Sequence, residues 1–346
     1  MLDTTKPGKT ILVTGAGGCI GSALTHTLVS NSANFLILLD RSEQNLHEIA
    51  MQLAAAGTSA YAAILGDILD AELLAEIFER YRPQTIFHAA AFKHVPLMES
   101  NPIAVVRNNA IGTWELAKTA ARFGAERLLM ISTDKAVNPR SVMGAAKRVA
   151  ELALLRMSNA RTKMNAVRLG NVLGSHGSVG PLFQHQIKQR GPVTVTHPDA
   201  RRFFLTLSET VELILAASAL DDSGGIFVPK MKEPLKILDL ATRMIQGAGL
   251  QTPRDIEIVF TGLRPGDKLE EELVSAQETL WPTNDERLHR VKSSGVDAGE
   301  LDASLGRIAE SIGERNLVAL LRELGRLIPE YQPSETLLGL LNPSLA

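Results

Sequence analysis

Cysteine, surplus basic charge and long apolar runs are all scarce or missing in this sequence. Its only cysteine, Cys19, cannot form a disulfide within the chain, which fits a reducing cytosol. Lys and Arg number 36 against 38 Asp and Glu, so no basic surplus exists to bind a nucleic-acid backbone or an anionic membrane. Residues 1–9 are unlike a signal peptide, and no run reaches the roughly 18 to 20 apolar residues of a membrane span. These absences predict a cytoplasmic protein with no membrane span and no nucleic-acid partner.

Short apolar runs alternate with longer stretches of helical spacing through the first half of the chain. That alternation is typical of βαβ units, whose right-handed crossovers build a parallel sheet. We therefore predict an α/β fold, a Rossmann doubly wound parallel sheet. The predicted strands are residues 10–14, 35–39, 60–65, 85–88, 128–132 and 165–169. The predicted helices are residues 22–30, 42–55, 70–81, 108–123 and 144–158.

The pattern changes after Gly170, where a loop rich in Gly and Ser precedes a stretch containing Pro and His. Residues 208–220 then predict a helix and residues 225–228 a strand, so the chain is expected to return to the sheet. Residues 305–328 again have helical spacing. The predicted units are a Rossmann domain over 1–170 rejoined by 203–228, a smaller interleaved substrate-binding domain over 171–202 and 229–335, and a tail over 336–346.

Three glycines, Gly15, Gly18 and Gly21, stand directly after the first predicted strand and before a helical pattern. Glycines in that place let main-chain amides and a helix N-terminus approach a pyrophosphate, as in NAD(P)-binding folds. A lone glycine triplet can also be a tight strand-to-helix turn. Residues at the ends of the neighbouring strands are therefore needed to distinguish a cofactor site from a simple turn.

Asp40 ends the second predicted strand, where a carboxylate accepts the ribose hydroxyls of NAD and repels the 2′-phosphate of NADP. Arg41 can stack on adenine or bind that phosphate, so NAD is preferred and NADP stays open. Asp40 and Arg41 can also simply cap the next helix. Further cofactor contacts are expected from the glycine turn and from the ends of the third and fourth strands: Cys19, Ile20, Asp67, Ile68, Ala89, Ala90 and Ala91.

Thr133-Asp134-Lys135 directly follows the end of the fifth predicted strand, and the next helix carries Met143 and Lys147. Strand ends of this kind face the ligand crevice of an open α/β sheet. A hydroxyl at a strand end, with two residues four apart on the following helix, resembles the Ser/Thr and Tyr-x-x-x-Lys arrangement of extended short-chain dehydrogenases/reductases. Met143 stands at the tyrosine position.

Three further blocks narrow the resemblance: AFKHVPLME at 91–99, GLRPGDKL at 262–269 and PEY at 329–331. With them the sequence resembles the UDP-N-acetylglucosamine 4,6-dehydratase family of bacterial polysaccharide biosynthesis, the CapD-like proteins, over nearly the whole chain. Many relatives carry an N-terminal membrane domain, so this sequence resembles a short, soluble member. The resemblance implies a lyase that removes water from a UDP-linked amino sugar with a tightly bound, recycled NAD or NADP.

The resemblance also implies roles for the residues of the catalytic block. Lys135 matches the base for the proton on sugar carbon 5, and Asp134 the acid for the carbon 6 hydroxyl. Thr133 matches the hydroxyl that hydrogen-bonds the carbon 4 oxygen, and Lys147 the lysine that holds the nicotinamide ribose. We expect Asp134 to be held protonated, and positive charge from Lys147 and the oxidised nicotinamide to lower the pKa of Lys135. The alternative is that Asp134 and Lys135 form a surface ion pair.

Met143 cannot take a proton, because a thioether is only a weak acceptor. The group that deprotonates the carbon 4 hydroxyl is therefore left open among Lys147, Lys135 acting through water, and water bound with the substrate.

Substrate contacts follow from the same resemblance. Arg264 matches the diphosphate-binding arginine and Arg202 is a second candidate, although either can pair with a local carboxylate instead. Lys93, just past the fourth strand, is expected to reach both the nicotinamide ribose and the sugar. The expected contacts to the sugar and uracil are Asn171, Val172 and Ser175.

The histidines receive no catalytic role. His94, His176 and His197 are isolated in the sequence, and His88 is expected to be buried in the sheet. No spacing of His, Cys, Asp and Glu indicates a metal site.

Two other functions fit parts of the same pattern. A UDP-sugar 4-epimerase needs only the hydride steps at carbon 4, and the Asp134-Lys135 pair argues against it. A catalytically silent NAD-binding protein is conceivable because of Met143, but Lys135, Asp134 and Lys147 argue against that. Relatives form symmetric assemblies, so a homo-oligomer is expected.

Overall fold

A computed structural model of the protein describes residues 8–30, 34–175, 177–231, 233–292 and 297–341. The strands are β1 (Thr10–Thr14), β2 (Phe35–Asp40), β3 (Tyr61–Leu65), β4 (Thr85–His88), β5 (Arg127–Thr133), β6 (Lys163–Leu169), β7 (Asn171–Val172), β8 (Val193–Val195), β9 (Arg201–Arg202), β10 (Phe204–Leu205), β11 (Ile226–Pro229), β12 (Leu235–Lys236), β13 (Ile258–Phe260), β14 (Thr279–Pro282) and β15 (Leu288–Lys292).

Helices connect most of these strands. They are α1 (Cys19–Val29), α2 (Glu43–Ala55), α3 (Ala71–Tyr81), α4 (Val95–Glu99), α5 (Pro102–Val106), α6 (Gly112–Phe123), α7 (Val142–Met157), α8 (Val179–Lys188), α9 (Leu207–Ala219), α10 (Ile237–Gly247), α11 (Ala298–Gly313), α12 (Leu317–Leu327) and α13 (Glu335–Leu341). A π-helical segment, Arg107–Ile111, joins α5 to α6, and a 3-10 turn, Asp134–Ala136, follows β5.

The main sheet has the strand order β14-β15-β11-β6-β5-β4-β1-β2-β3 within the described part of the chain. Strands β1 to β6 and β11 pair in parallel, and β15 and β14 add an antiparallel edge. The order 3-2-1-4-5-6 is that of a doubly wound Rossmann sheet, and its direction of winding reverses between β1 and β4. The predicted fold class is confirmed. In such sheets ligands bind in the crevice at this reversal.

Buried strands of this sheet are apolar on both sides because helices cover both faces. Ile11 and Val13 of β1 pack on one face against helices α1, α2 and α9. Leu12, between them, packs on the other face against α3 and α6. This alternation follows from the two-residue period of a strand, and it explains why β1 is an unbroken apolar run.

Most predicted elements are found, with shifts at some ends. β1 and β4 have the predicted bounds, and α7 begins two residues earlier than predicted because the Ser141 side chain accepts a hydrogen bond from Gly144 N and caps it. The helical stretch 305–328 is two helices, α11 and α12. The break lies at Arg315, whose φ of 54° is left-handed, and Asn316 caps the second helix.

The chain does return to the sheet after Gly170, through α9 and β11. Strands β14 and β15, which lie within the range 229–335, also join the main sheet, and α11 and α12 pack against α7. Helices α8 and α10 and strand β8 pack together in a separate hydrophobic cluster, through side chains such as Phe183, Val195 and Ile245. Of the predicted tail over 336–346, the described residues 336–341 belong to helix α13.

Candidate active site

The glycine turn after β1 is shaped by close approach of main chain. Gly15 has a φ of 67°, and a Cβ there would lie 2.7 Å from Ala90 N. A Cβ on Gly21 would lie 2.0 Å from Gly15 O. Helix α1 begins at Cys19, and no side chain caps it. The turn therefore leaves amides at a helix N-terminus facing the crevice, which suits a diphosphate.

A cleft of about 280 Å³ lies beside this turn at the ends of β1 to β4. Asp40 faces it and is 8% exposed. Its carboxylate accepts hydrogen bonds from Gly17 N and Ser42 N, each at 2.9 Å. Ser42, not Asp40, provides the side-chain cap of α2. The carboxylate is thus fixed at the cleft by the main chain, and the capping alternative does not account for it.

Arg41 crosses the far side of the same cleft. Its guanidinium lies 4.1 Å from the Phe92 ring centroid and donates to Asn108 Oδ1 at 3.2 Å. Asp67 Oδ2 is 3.6 Å from Arg41 Nη1. The predicted residues Asp67, Ile68, Ala89, Ala90 and Ala91 line the cleft as well. Asn108 was not predicted, because nothing in its helical pattern marks it as a ligand-facing residue.

A larger cavity of about 730 Å³ continues from the glycine turn toward β5 and β6. Gly15, Gly18, Ala89 and Ala91 line both cavities, so the two adjoin. The other predicted residues that line the larger cavity are Cys19, Ile20, Gly21, Lys93, Thr133, Lys135, Met143, Lys147, Asn171, Val172, Ser175, Arg202 and Arg264. Residues separated by almost 250 positions thus share one cavity.

Asp134 is the predicted catalytic residue that does not line this cavity. Its side chain is 0% exposed and lies behind its two neighbours. Thr133 Oγ1 and Lys135 Nζ both donate to Asp134 Oδ1, at 2.9 Å each. Lys135 Nζ also donates to Asn171 Oδ1 at 3.1 Å. The pair is buried, so the alternative of a surface ion pair is wrong, and Asp134 is connected to the cavity through Lys135 and Thr133.

The electrostatic surroundings of Lys135 differ from the expectation. Burial lowers the pKa of Lys135, but the carboxylates of Asp134 and Glu271 outweigh it, so this pKa lies above its ordinary value. Glu271 Oε1 is 3.4 Å from Lys135 Nζ. The expectation that positive charge from Lys147 lowers the pKa of Lys135 is wrong, since Lys147 is not among the groups that determine this shift and the two carboxylates raise the pKa. Glu271 was missed because it stands in an acidic run typical of a solvated surface.

Lys147 lies one turn after Met143 on α7, and both residues are buried at the cavity wall. Lys147 Nζ donates to Ile131 O at 2.8 Å. Burial lowers the pKa of Lys147 to about 8, although the charge of Glu151 opposes this shift. A lysine with such a pKa exchanges protons near neutral pH, whereas Met143 cannot.

The two predicted phosphate-binding arginines are held differently. Arg202 is buried and donates to the main-chain oxygens of Arg201, Lys268 and Leu269, at 2.7, 2.8 and 3.1 Å. The side chain of Arg264 is 57% exposed and pairs with Asp267 at 2.8 Å. Arg202 therefore supports the cavity wall, while Arg264 is free to exchange Asp267 for a ligand.

The remaining basic side chains divide between the cavity and the core. Lys93 lines the cavity, and its pKa is lowered by burial, with Cys19 opposing. His94 also lines the cavity. His88 is buried as expected, between Thr14 and Thr113, and burial followed by the charge of Lys147 lowers its pKa to about 3. His176 lies outside the described residues.

Neither a metal cluster nor a membrane helix is found in the ranges that the structure describes. No three or more His, Cys, Asp or Glu side chains there are grouped to hold a metal ion. None of the described helices is both long enough and apolar enough to cross a bilayer.

Comparison with known proteins places this geometry in a family. A family model described as "Polysaccharide biosynthesis protein" matches residues 11–293. The chain belongs to this family. It is 41% identical over 316 residues to the capsular polysaccharide biosynthesis protein CapD of Staphylococcus aureus, covering 90% of this chain and 53% of CapD. The chain thus spans about half the length of that curated relative.

Two further similarities are to a protein named as an epimerase and to a solved structure. A UDP-glucose 4-epimerase of Rickettsia rickettsii is 31% identical over 297 residues, 84% of each chain. Among solved structures, Pen from Bacillus thuringiensis superposes with a TM-score of 0.76 at 27% identity, covering 88% of this chain and 98% of Pen.

Proposed function

We propose that this protein is a nucleotide-sugar 4,6-dehydratase that converts UDP-N-acetylglucosamine, or a close UDP-N-acetylhexosamine, to the 4-keto-6-deoxy sugar for surface polysaccharide or glycan synthesis. The observation that supports this most is the contact between Lys135 Nζ and buried Asp134, 2.9 Å long, at the wall of the cavity that begins at the glycine turn. A base and an acid are what water removal requires, and epimerisation at carbon 4 requires neither at carbons 5 and 6.

The residues of the smaller cleft fit a nicotinamide dinucleotide. The glycine turn, packed so closely against main chain at Gly15 and Gly21 that neither position has room for a side chain, leads into the uncapped start of α1, which suits a diphosphate. The fixed carboxylate of Asp40 suits a ribose. Asp40 favours NAD, and NADP is the alternative. A nicotinamide held there by Asp40 and the glycine turn would supply reversible hydride transfer, which the reaction requires at sugar carbons 4 and 6, and would be recycled in each turnover.

Lys135 and Asp134 would perform the elimination as a pair. Moving the proton of the Lys135–Asp134 hydrogen bond to the carboxylate gives a neutral amine and a protonated acid together, with no proton from outside. The amine takes the carbon 5 proton, and the acid protonates the departing carbon 6 hydroxyl, which leaves as water. The original ion pair is then restored. Because Asp134 is behind Thr133, its proton reaches the cavity through that hydroxyl or through a side-chain movement.

The remaining cavity residues supply binding. Thr133 would hold the carbon 4 oxygen and Lys147 the nicotinamide ribose. Arg264 and Lys93 are the cations available to the diphosphate. The proposed contacts to the sugar and uracil are Asn171, Val172 and Ser175. Lys147, whose pKa is about 8, is the group we propose for deprotonating the carbon 4 hydroxyl, since Met143 cannot.

Incubation of the purified protein with UDP-N-acetylglucosamine in heavy water, without added cofactor, tests this proposal. Mass spectrometry should show loss of one water, and proton NMR should show deuterium at carbon 5 of the product. The Lys135→Met variant should yield neither change. Unchanged substrate with a wild-type protein that retains its cofactor would refute the dehydratase.

A UDP-sugar 4-epimerase is the second candidate, favoured by the similarity to the Rickettsia enzyme over 84% of both chains. The same experiment separates the two. An epimerase changes the configuration at carbon 4 without losing water and without taking up deuterium at carbon 5. A cytoplasmic location and a homo-oligomeric state stay predictions.

A further inference from the structure

Lys135 lies between two buried carboxylates, one from its neighbour in the sequence and the other from a distant part of the chain. Asp134 Oδ1 is 2.9 Å and Glu271 Oε1 3.4 Å from Lys135 Nζ. Glu271 lies between β13 and β14, 136 positions after the lysine, and is only 4% exposed. One oxygen of each carboxylate, Asp134 Oδ2 and Glu271 Oε2, is buried without a hydrogen-bond partner in the described part of the chain.

Two further cations lie near Glu271, Arg202 beside Oε1 and Lys268 beside Oε2. Arg202 Nε and Lys268 Nζ are each 3.8 Å from the Glu271 carboxylate. Arg202 in turn donates to the main-chain oxygens of Lys268 and Leu269. A movement of the Glu271 carboxylate away from Lys135 would therefore also change its distances to Arg202 and Lys268.

We propose that Glu271 is a positioning residue for Lys135, holding its Nζ against Asp134 and setting the balance between ammonium and free amine. This inference rests on the proposed function only where it concerns turnover. Burial alone would favour the amine, and Asp134 and Glu271 reverse that preference while Arg202 opposes them. A negative charge beside Lys135 stabilises the ammonium that forms when the amine takes a proton, so Glu271 makes the amine a stronger base and leaves less of it free.

Chemical labelling measures this balance without any turnover. Lys135 lines the cavity and its side chain is 20% exposed, so a small acylating reagent such as acetic anhydride can reach it, and only the amine form reacts. In the Glu271→Gln variant the acetylation rate of Lys135 at pH 9, measured by peptide mass spectrometry, should rise at least about tenfold, since removing one charge at this distance shifts a pKa by about 1 to 3 units.

Glu270→Gln is the matched control. It removes the same charge one residue away, but Glu270 is exposed, so the Lys135 rate should change less than about twofold. If Glu271→Gln does not fold, Glu271→Asp keeps the charge and moves it back by one methylene, and a smaller rise in the same direction is expected. A Lys135 rate equal to that of the wild type in a folded Glu271 variant overturns the inference.

The pH profile of turnover supplies the second readout. In the proposed mechanism the Lys135–Asp134 pair is active while it holds its shared proton, so loss of that proton at high pH should set the basic limb for deuterium uptake at carbon 5. This basic limb should move to lower pH by about one unit or more in Glu271→Gln, and Glu270→Gln should keep the wild-type limb. A changed labelling rate in a protein without dehydratase activity would refute the proposed function and leave the Glu271 assignment standing. A Glu271→Gln variant that loses activity with an unshifted limb and unshifted labelling would have only a structural defect, and would overturn the assignment.

Discussion

The cleft beside the glycine turn and the larger cavity that adjoins it form the two ends of one continuous space, and these ends are built in different ways. At the glycine turn, main-chain amides and a close approach between the ends of β1 and β4 form the wall, and Asp40 is the fixed charge. At the end of β5, the wall is made of charged side chains, with Lys135 between Asp134 and Glu271. The first end tolerates few changes of shape, whereas the second tolerates few changes of charge.

This difference explains which effects should be separable. The two ends adjoin, but different strands and loops form their walls. A change of charge at the end of β5 should therefore leave the end beside the glycine turn intact. A shape change at the turn should damage the cofactor end and, through it, the whole reaction.

The largest effect is expected from Lys135→Met, which keeps the length of the side chain and removes its charge. Turnover of UDP-N-acetylglucosamine should fall about 10²- to 10⁴-fold, the usual contribution of a general acid or base. The bound cofactor, measured by absorbance and mass spectrometry of the purified protein, should stay at the wild-type amount. Lys188→Met, on the exposed side of α8, is the control and should retain activity. Full turnover by Lys135→Met would contradict the assigned role.

Gly15→Ala tests the opposite end by shape alone. The alanine Cβ would lie 2.7 Å from Ala90 N, at a φ of 67° that disfavours any side chain. We expect the free energy of unfolding to fall by about 1 to 3 kcal/mol and the cofactor to be lost on purification. Thermal unfolding and cofactor content measure both.

Gly306→Ala is the matched control for that change, since it lies within α11 and a Cβ there meets nothing within 4 Å. It should leave stability unchanged or raise it by up to about 1 kcal/mol. Equal behaviour of the two alanine variants would show that the turn is not sterically constrained.

Lys147 allows a test based on the pH dependence of stability. Its pKa is about 8 when folded, below the ordinary lysine value, so the unfolded chain binds more protons between that pH and about 10.4. Unfolding therefore becomes less favourable as pH rises through this window. The stability advantage of Lys147→Met over the wild type, up to about 3 kcal/mol at neutral pH, should shrink toward pH 10.

Denaturant unfolding of the wild type and of Lys147→Met at several pH values measures that difference. Other groups that titrate in this range contribute nearly equally to the stability of both proteins, so their contributions cancel in the difference to first order. A difference that stays constant from pH 7 to pH 10 would show that the buried lysine keeps its ordinary pKa.

Local patterns were enough to predict the sheet and the glycine turn that follows its first strand. The apolar run Ile11, Leu12 and Val13 is that of a strand covered on both faces, and the glycines of the turn follow it directly. These residues are close in the sequence as well as in space, so a local pattern is enough to predict them. Bounds were less predictable where a cap decides them. Helix α7 begins at Val142 because of Ser141, and hydrophobic spacing alone does not reveal that.

The charged end could be predicted only in part, because its partners are far apart in the chain. Thr133, Asp134 and Lys135 are adjacent and match a known arrangement. Glu271 approaches from beyond β13, and no pattern in its acidic run shows that it is buried. For the same reason the direction of the Lys135 pKa shift was predicted wrongly, since the sequence showed one cation nearby and not the second anion.

The smallest effect is expected from Arg264→Gln, at the open side of the charged end. Arg264 is more than half exposed and already paired with Asp267. Binding a diphosphate therefore replaces one anionic partner by another where solvent screens the charges, and the gain in binding free energy is small. We expect KM for the UDP-sugar to rise about three- to tenfold, equivalent to roughly 1 kcal/mol, with kcat nearly unchanged. The rise should diminish as salt is added. Arg322→Gln, exposed on α12, is the control. A fall in kcat with constant KM would instead place Arg264 in the chemistry, and the charged end of the cavity would then extend to residues that solvent reaches.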